Sequence, residues 1–178
     1  LGLGAIAVIM CAVNPIMGWI NTGMTNALTA MSKTEGLMIP LCALLAGMMA
    51  IDMGGPFNKA AYVFATGMLS TGTDASYMIM AAVMVGGMVP PIAIALSTTF
   101  NKNRWTAEER KNGTVNYIMG LSFITEGAIP YAAGHPLQVI PACIVGSASA
   151  GALSALFGCK LMAPHGGLFV VATIGNPL

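Results

Sequence analysis

Charge is scarce in this chain. Only 7% of its 178 residues are Asp, Glu, Lys or Arg, against about 25% in a soluble domain, so it cannot cover a globular surface in the usual way and reads as an integral membrane protein. Seven Lys and Arg nearly balance six Asp and Glu, for a net charge of +1 with no basic stripe. That excludes nucleic acid as a partner, because phosphate recognition needs clustered positive charge. Cysteine is thin as well: Cys11, Cys42, Cys143 and Cys159 stand singly among apolar neighbours. They lack the paired spacing of a disulfide framework or a zinc site and read as buried thiols packed as small hydrophobes. No metal or cofactor is expected. Sustained period-two alternation is missing too, which removes a β-barrel and leaves an all-α membrane fold.

What the chain has instead is apolar and small: 56% of residues are hydrophobic, mean hydropathy is +0.79, and there are 22 Gly. Small residues at this density suit close helix packing in a bilayer. Residues 1–13 form an apolar run that reads as the end of a span, so the chain is expected to be a fragment of a longer membrane domain. Over residues 14–34, Ile16, Ile20, Met24 and Leu28 recur at helical spacing while Asn21, Thr25 and Ser32 face elsewhere. This predicts an uncharged amphipathic helix, as a linker or lying at the membrane interface.

Two stretches, 52–70 and 120–138, combine Gly/Pro breaks with polar groups inside apolar sequence. The first opens Asp52-Met-Gly-Gly-Pro-Phe-Asn-Lys-Ala-Ala-Tyr62; the second is Gly120-Leu-Ser-Phe-Ile-Thr-Glu-Gly-Ala-Ile-Pro130 followed by Tyr131, His135 and Pro136. Non-helical backbone at membrane depth is tolerated only where protein buries it or where it lines a wet cavity. A pair of such segments is the pattern of re-entrant hairpins around a binding site. Asp52, Asn58, Lys59, Thr125 and Glu126 are therefore the candidate binding residues, with Asp52 and Lys59 expected to neutralise each other. The bland alternatives are a surface loop for the second stretch and an interfacial turn for the first.

Elsewhere, Tyr77 to Leu96 read as a full span in which Pro90-Pro91 should bend the helix or end it early. The basic excess between Lys102 and Lys111 predicts a cytoplasmic loop, either plainly solvated or a landing strip for a soluble partner. Thr106 with Glu109 makes a capping box that should start a helix running through Tyr117. An apolar helix is expected after Pro141, with Ser147, Gly151 and Ala155 as a small-residue face. His165, between Pro164 and Gly166, either lines the cavity or caps the interface.

The two long motifs above, with Pro164-His-Gly-Gly167, resemble the fructose-type membrane component (IIC) of the bacterial phosphoenolpyruvate-dependent sugar phosphotransferase system. The motifs fall in that family's order, so the resemblance covers essentially residues 1–178. It implies a multi-pass permease of the bacterial inner membrane that binds fructose or a related sugar and delivers it phosphorylated. The donor would be a phosphocysteine on a soluble IIB domain, charged in turn through IIA and the phosphocarrier protein. It also implies that the chain is the substrate-binding half, with a homodimerising amino-terminal part lying outside it and the fragment alone inactive. In that family the Ile-Thr-Glu stretch supplies the substrate carboxylate, which carries over to Glu126; His135 and His165 are candidates for accepting the hydroxyl proton. The alternatives from other classes are an ion-coupled secondary transporter using Asp52 and Glu126, and a sugar sensor.

Overall fold

The computed structural model describes residues 36–173 together with isolated positions between residues 11 and 30. Most of the 14–34 linker, including its apolar face, lies outside the described residues. Seven helices follow: α1 (Met38–Ile51), α2 (Pro56–Leu69), α3 (Asp74–Phe100), α4 (Ala107–Gly113), α5 (Val115–Leu121), α6 (Ile129–Gly134) and α7 (Pro136–Leu156). Short 3-10 turns cover Lys102–Arg104, Thr125–Ala128 and Gly167–Thr173.

Local sequence explains most of these boundaries. Pro56 and Pro136 sit at the starts of α2 and α7, where the missing amide has no helical acceptor to lose. Pro40 falls in the first turn of α1 for the same reason. The capping box forms as expected: the Thr106 side chain accepts from the Glu109 amide, and the Glu109 carboxylate takes the Thr106 amide at 2.9 Å. The helix it starts is divided at Thr114 into α4 and α5.

α3 and α7 are the two helices long and apolar enough to cross a membrane among the described residues. With 27 residues α3 spans about 40 Å at 1.5 Å per residue, more than the roughly 30 Å of hydrocarbon. They run antiparallel. Just beyond the end of α7, Lys160 meets Asp74 at the start of α3 (2.7 Å), and the Leu161 amide donates to the Tyr77 carbonyl. Just before α7, the His135 ring stands edge-on to Trp105, which follows α3.

The core is a three-helix junction. Ala46 of α1 is fully buried, and a Cβ on Gly86 of α3 would stand 2.6 Å from the Ala46 Cα. A Cβ on Gly151 of α7 would strike Ala46 from the other side and come within 2.6 Å of the Cys42 carbonyl. The small-residue face read from Ser147, Gly151 and Ala155 is therefore the seam: all three are buried. Leu41, Leu45 and Met49 of α1 interlock with Ile79, Met80 and Val83 of α3, and Phe64 of α2 closes the cluster. Leu137, Val145 and Leu156 on the outer side of α7 stay exposed, as suits a helix facing lipid.

Two sequence expectations need correction, and the alternatives given for Pro90-Pro91 are narrowed. Pro90 and Pro91 do not end α3, which continues to Phe100. A proline deprives the carbonyl four residues earlier of its donor, here Gly86 and Gly87, and both carbonyls find replacements. The Ser147 hydroxyl donates to Gly86 O at 2.8 Å, and the Thr125 hydroxyl to Gly87 O at 2.9 Å. The last long helix begins at Pro136 and passes through Pro141, instead of starting after it. Of the cysteines, Cys42 and Cys143 are buried and Cys159 half-buried, but Cys11 is exposed.

The junction predicts different outcomes for two glycines. Gly151→Ala should lower the melting temperature in detergent markedly, since overpacking against backbone costs about 1–3 kcal/mol. Gly47→Ala, whose Cβ would meet Ala148 at an ordinary 3.5 Å, should leave it unchanged.

Candidate functional site

The first broken segment is held by its own polar groups. Asp52 ends α1, and its carboxylate reaches forward to accept the amides of Phe57 (2.7 Å) and Asn58 (2.9 Å) in the first turn of α2. These donors have no partner within the helix, and a carboxylate there also answers the positive end of the helix dipole. Asn58 is buried and donates back to the Met49 carbonyl at 2.9 Å. Met53, between them, adopts a left-handed φ of 46° while its side chain is 2% exposed. Such a conformation costs about 1–3 kcal/mol and persists only where the surroundings over-determine it.

The second segment has the same construction. Phe123 carries a left-handed φ of 62° and is buried; among the described residues, it and Met53 are the two non-glycine positions of this kind. The Thr125 hydroxyl fixes the following 3-10 turn to Gly87 O. Gly87 lies thirteen residues from either end of α3, so the turn touches that helix about 20 Å from each end. Gly87 must lack a side chain, because a Cβ would come within 2.9 Å of the Thr125 hydroxyl and closer still to the Phe123 ring.

The three motif stretches come together at this turn. The Glu126 side chain packs on Gly54, where a Cβ would stand 2.9 Å from its Oε1. Lys59, one turn into α2, places Nζ 3.7 Å from the same oxygen. Gly167 tucks beneath the turn, a Cβ there falling within 2.9 Å of the Phe123 amide nitrogen. His165 stands edge-on to Phe123 and Tyr62, with centroids 5.3 and 6.4 Å apart.

Lys59 therefore pairs with Glu126, and the expected neutralisation of Asp52 by Lys59 does not occur. Asp52 is occupied by the backbone amides of Phe57 and Asn58. The side chains of Lys59 and Glu126 are 60% and 48% exposed, so the pair contributes no more than about 1 kcal/mol and opens readily.

His135 lies elsewhere. Its ring is edge-on to Trp105 at 5.5 Å, and its Nε2 lies 3.8 Å from Glu109. The Thr106 amide and hydroxyl, and then His135, hold the Glu109 carboxyl below the usual carboxylate range. With Arg104, Trp105 and Gln138, His135 lines a cavity of about 610 Å³ between α3 and α7. A second cavity, of about 620 Å³, lies between α4, α5 and the Glu126 turn. Its wall includes Asn116, a buried residue that sequence reasoning missed because nothing in its neighbourhood marks it.

No family model matches this chain, and no solved structure matches it. Curated relatives do. It is 56% identical over 153 residues to the PTS system fructose-specific EIIB'BC component of Rhodobacter capsulatus, covering 86% of this chain and 26% of that protein. It is 50% identical over 157 residues to the PTS system fructose-specific EIIC component of Haloferax volcanii, covering 88% and 41%. To the fructose permease IIC component of Bacillus amyloliquefaciens it is 46% identical over 164 residues, covering 92% and 52%. The chain thus spans about a quarter to a half of the length of these relatives. It is an all-α membrane protein that belongs, over the stretch it covers, to the fructose-type membrane component (IIC) family of the phosphotransferase system.

Proposed function

We propose that this chain is the substrate-binding half of a sugar permease in the bacterial inner membrane, taking fructose or a closely related sugar and passing it to a phosphorylated IIB domain. The observation that carries the reading is the meeting of the three motif stretches on the Glu126 turn, halfway along α3. The relatives, fructose-specific components and a fructose permease component by name, point the same way. In this reading 52–70 and 120–138 are re-entrant hairpins, and the rest of the multi-pass domain, including a homodimer contact, lies in the amino-terminal part of the full-length protein.

Each residue then has a task. Glu126 accepts hydrogen bonds from sugar hydroxyls and holds one in line for the phosphorus. The hydroxyl oxygen bonds to phosphorus as the bond to the IIB cysteine sulfur breaks, the sulfur leaves as thiolate, and the hydroxyl proton passes to a base. In this reading His165, packed on Phe123 beside the turn, takes that proton. His135, on the loop side with Trp105 and Glu109, faces the approach of the donor. Lys59 exchanges its weak pair with Glu126 for the incoming phosphoryl oxygens, whose charge must be neutralised in transfer. Thr125, Asp52 and Asn58 serve by holding the two turns in register.

Glu126→Gln keeps the size and one carbonyl acceptor but removes the charge. In membranes holding the full-length variant, phosphoenolpyruvate-dependent sugar phosphorylation should fall at least about a hundredfold, with normal monodisperse yield in detergent. Near-normal turnover removes Glu126 from the site. Uptake of unmodified sugar driven by a proton gradient would instead identify an ion-coupled transporter.

The loop after α3 should lie on the cytoplasmic side, where IIB must approach, because it carries the basic excess. A cysteine introduced by Asn103→Cys should react with an impermeant thiol reagent in inside-out vesicles and not in intact cells. The opposite pattern would invert the topology.

A further inference from the structure

Asn116 of α5 is 2% exposed, and its Nδ2 is without a hydrogen-bond partner among the described residues. Buried amide donors are almost always paired, so an orphan on the wall of a cavity needs an explanation. The cavity's volume, about 620 Å³, falls in the range of roughly 300–1,000 Å³ usual for small-molecule sites.

Two hydroxyls on this wall are already committed, and the Asn112 amide stands exposed on the same wall. The Thr106 hydroxyl donates to the Glu109 carboxylate at 2.8 Å, and the Tyr131 hydroxyl donates to the Glu109 carbonyl at 2.9 Å. Three carboxylates, Glu108, Glu109 and Glu126, line the space, and no Lys or Arg does. Gly127 holds the Asn116 amide against the Glu126 turn, since a Cβ there would strike Asn116 Oδ1 and come within 2.8 Å of Met119 Sδ.

We propose that this cavity is the sugar site on the Glu126 turn, and that the Asn116 side-chain amide, whose nitrogen is closed to solvent without sugar, turns to donate to a sugar oxygen while Glu126 accepts from a neighbouring hydroxyl. The inference rests on the permease reading above and adds a residue and a place to it. The wall's chemistry selects the ligand class. Abundant acceptors with the amide donors of Asn116 and Asn112 suit a neutral polyol, whose hydroxyls both donate and accept. Glu108 and Glu109 on the same wall repel an anion, so a phosphorylated product binds this cavity less well than the free sugar and leaves it.

The test compares the full-length protein with Asn116→Leu and Asn116→Asp in membranes supplied with phosphoenolpyruvate and the soluble phosphotransferase proteins. Asn116→Leu keeps the bulk and removes the donor; Asn116→Asp keeps the shape and replaces the donor with an acceptor. Both should raise the KM for fructose about fivefold or more, the loss expected of one hydrogen bond, with kcat little changed. The melting temperature of detergent-solubilised protein without sugar should hold for Asn116→Leu, since no internal bond is broken, and the stabilisation by added fructose should shrink. Unchanged KM and unchanged fructose stabilisation in both variants would overturn the proposal. So would a large drop in the sugar-free melting temperature of both, which would make the amide structural. Failure of the permease reading looks different: the unmodified protein itself would give no phosphoenolpyruvate-dependent product, while fructose stabilisation would still report on Asn116.

Discussion

Pro90 and Pro91 remove two consecutive amide donors from the middle of α3, and the two carbonyls left over tie the molecule together. Gly86 O takes the Ser147 hydroxyl of α7, and Gly87 O takes the Thr125 hydroxyl of the broken segment. In hydrocarbon neither carbonyl can turn to water, and an unpaired one costs several kcal/mol. The glycines that carry these carbonyls also permit the approach: Gly86 lets α1 come in against Ala46, and Gly87 lets Phe123 and Thr125 come in from the other side. One short sequence, Gly86-Gly87 with Pro90-Pro91, thus fixes both the helix junction and the depth of the Glu126 turn.

The two broken segments share a logic that follows from this anchoring. Each pairs a strained, buried left-handed residue, Met53 or Phe123, with a side chain that bonds backbone, Asp52 or Thr125. Strain and capping together hold Gly54 against Glu126 and bring Lys59 to the same oxygen. What is rigid is the backbone. The charge pair itself is loose and half exposed, as the proposed release of Lys59 from Glu126 requires.

Much of this was legible in the sequence where the cause is local. The Thr106–Glu109 capping box, the span around Tyr77 to Leu96 and the small-residue face of Ser147, Gly151 and Ala155 each follow from spacing and residue type, and each is present. What was not legible depends on residues distant in the chain. Lys59 pairs with Glu126 and not with the nearer Asp52, because the first turn of α2 claims the Asp52 carboxylate. The survival of α3 beyond its prolines depends on hydroxyls brought by α7 and the second segment. Asn116 had no sequence signal at all, since an unpaired amide is recognised only once its surroundings are known.

Thr125 holds the Glu126 turn by replacing the donor that Pro91 removes. A double-mutant cycle between Thr125→Val and Pro91→Ala, read as melting temperature of the detergent-solubilised protein, tests it directly. Thr125→Val alone should destabilise by about 1–2 kcal/mol, the upper end for hydrogen bonds between membrane helices. With Pro91→Ala supplying an amide to Gly87 O, the same substitution should cost close to nothing. An equal loss in both backgrounds would mean that the Thr125 hydroxyl does not stand in for that donor.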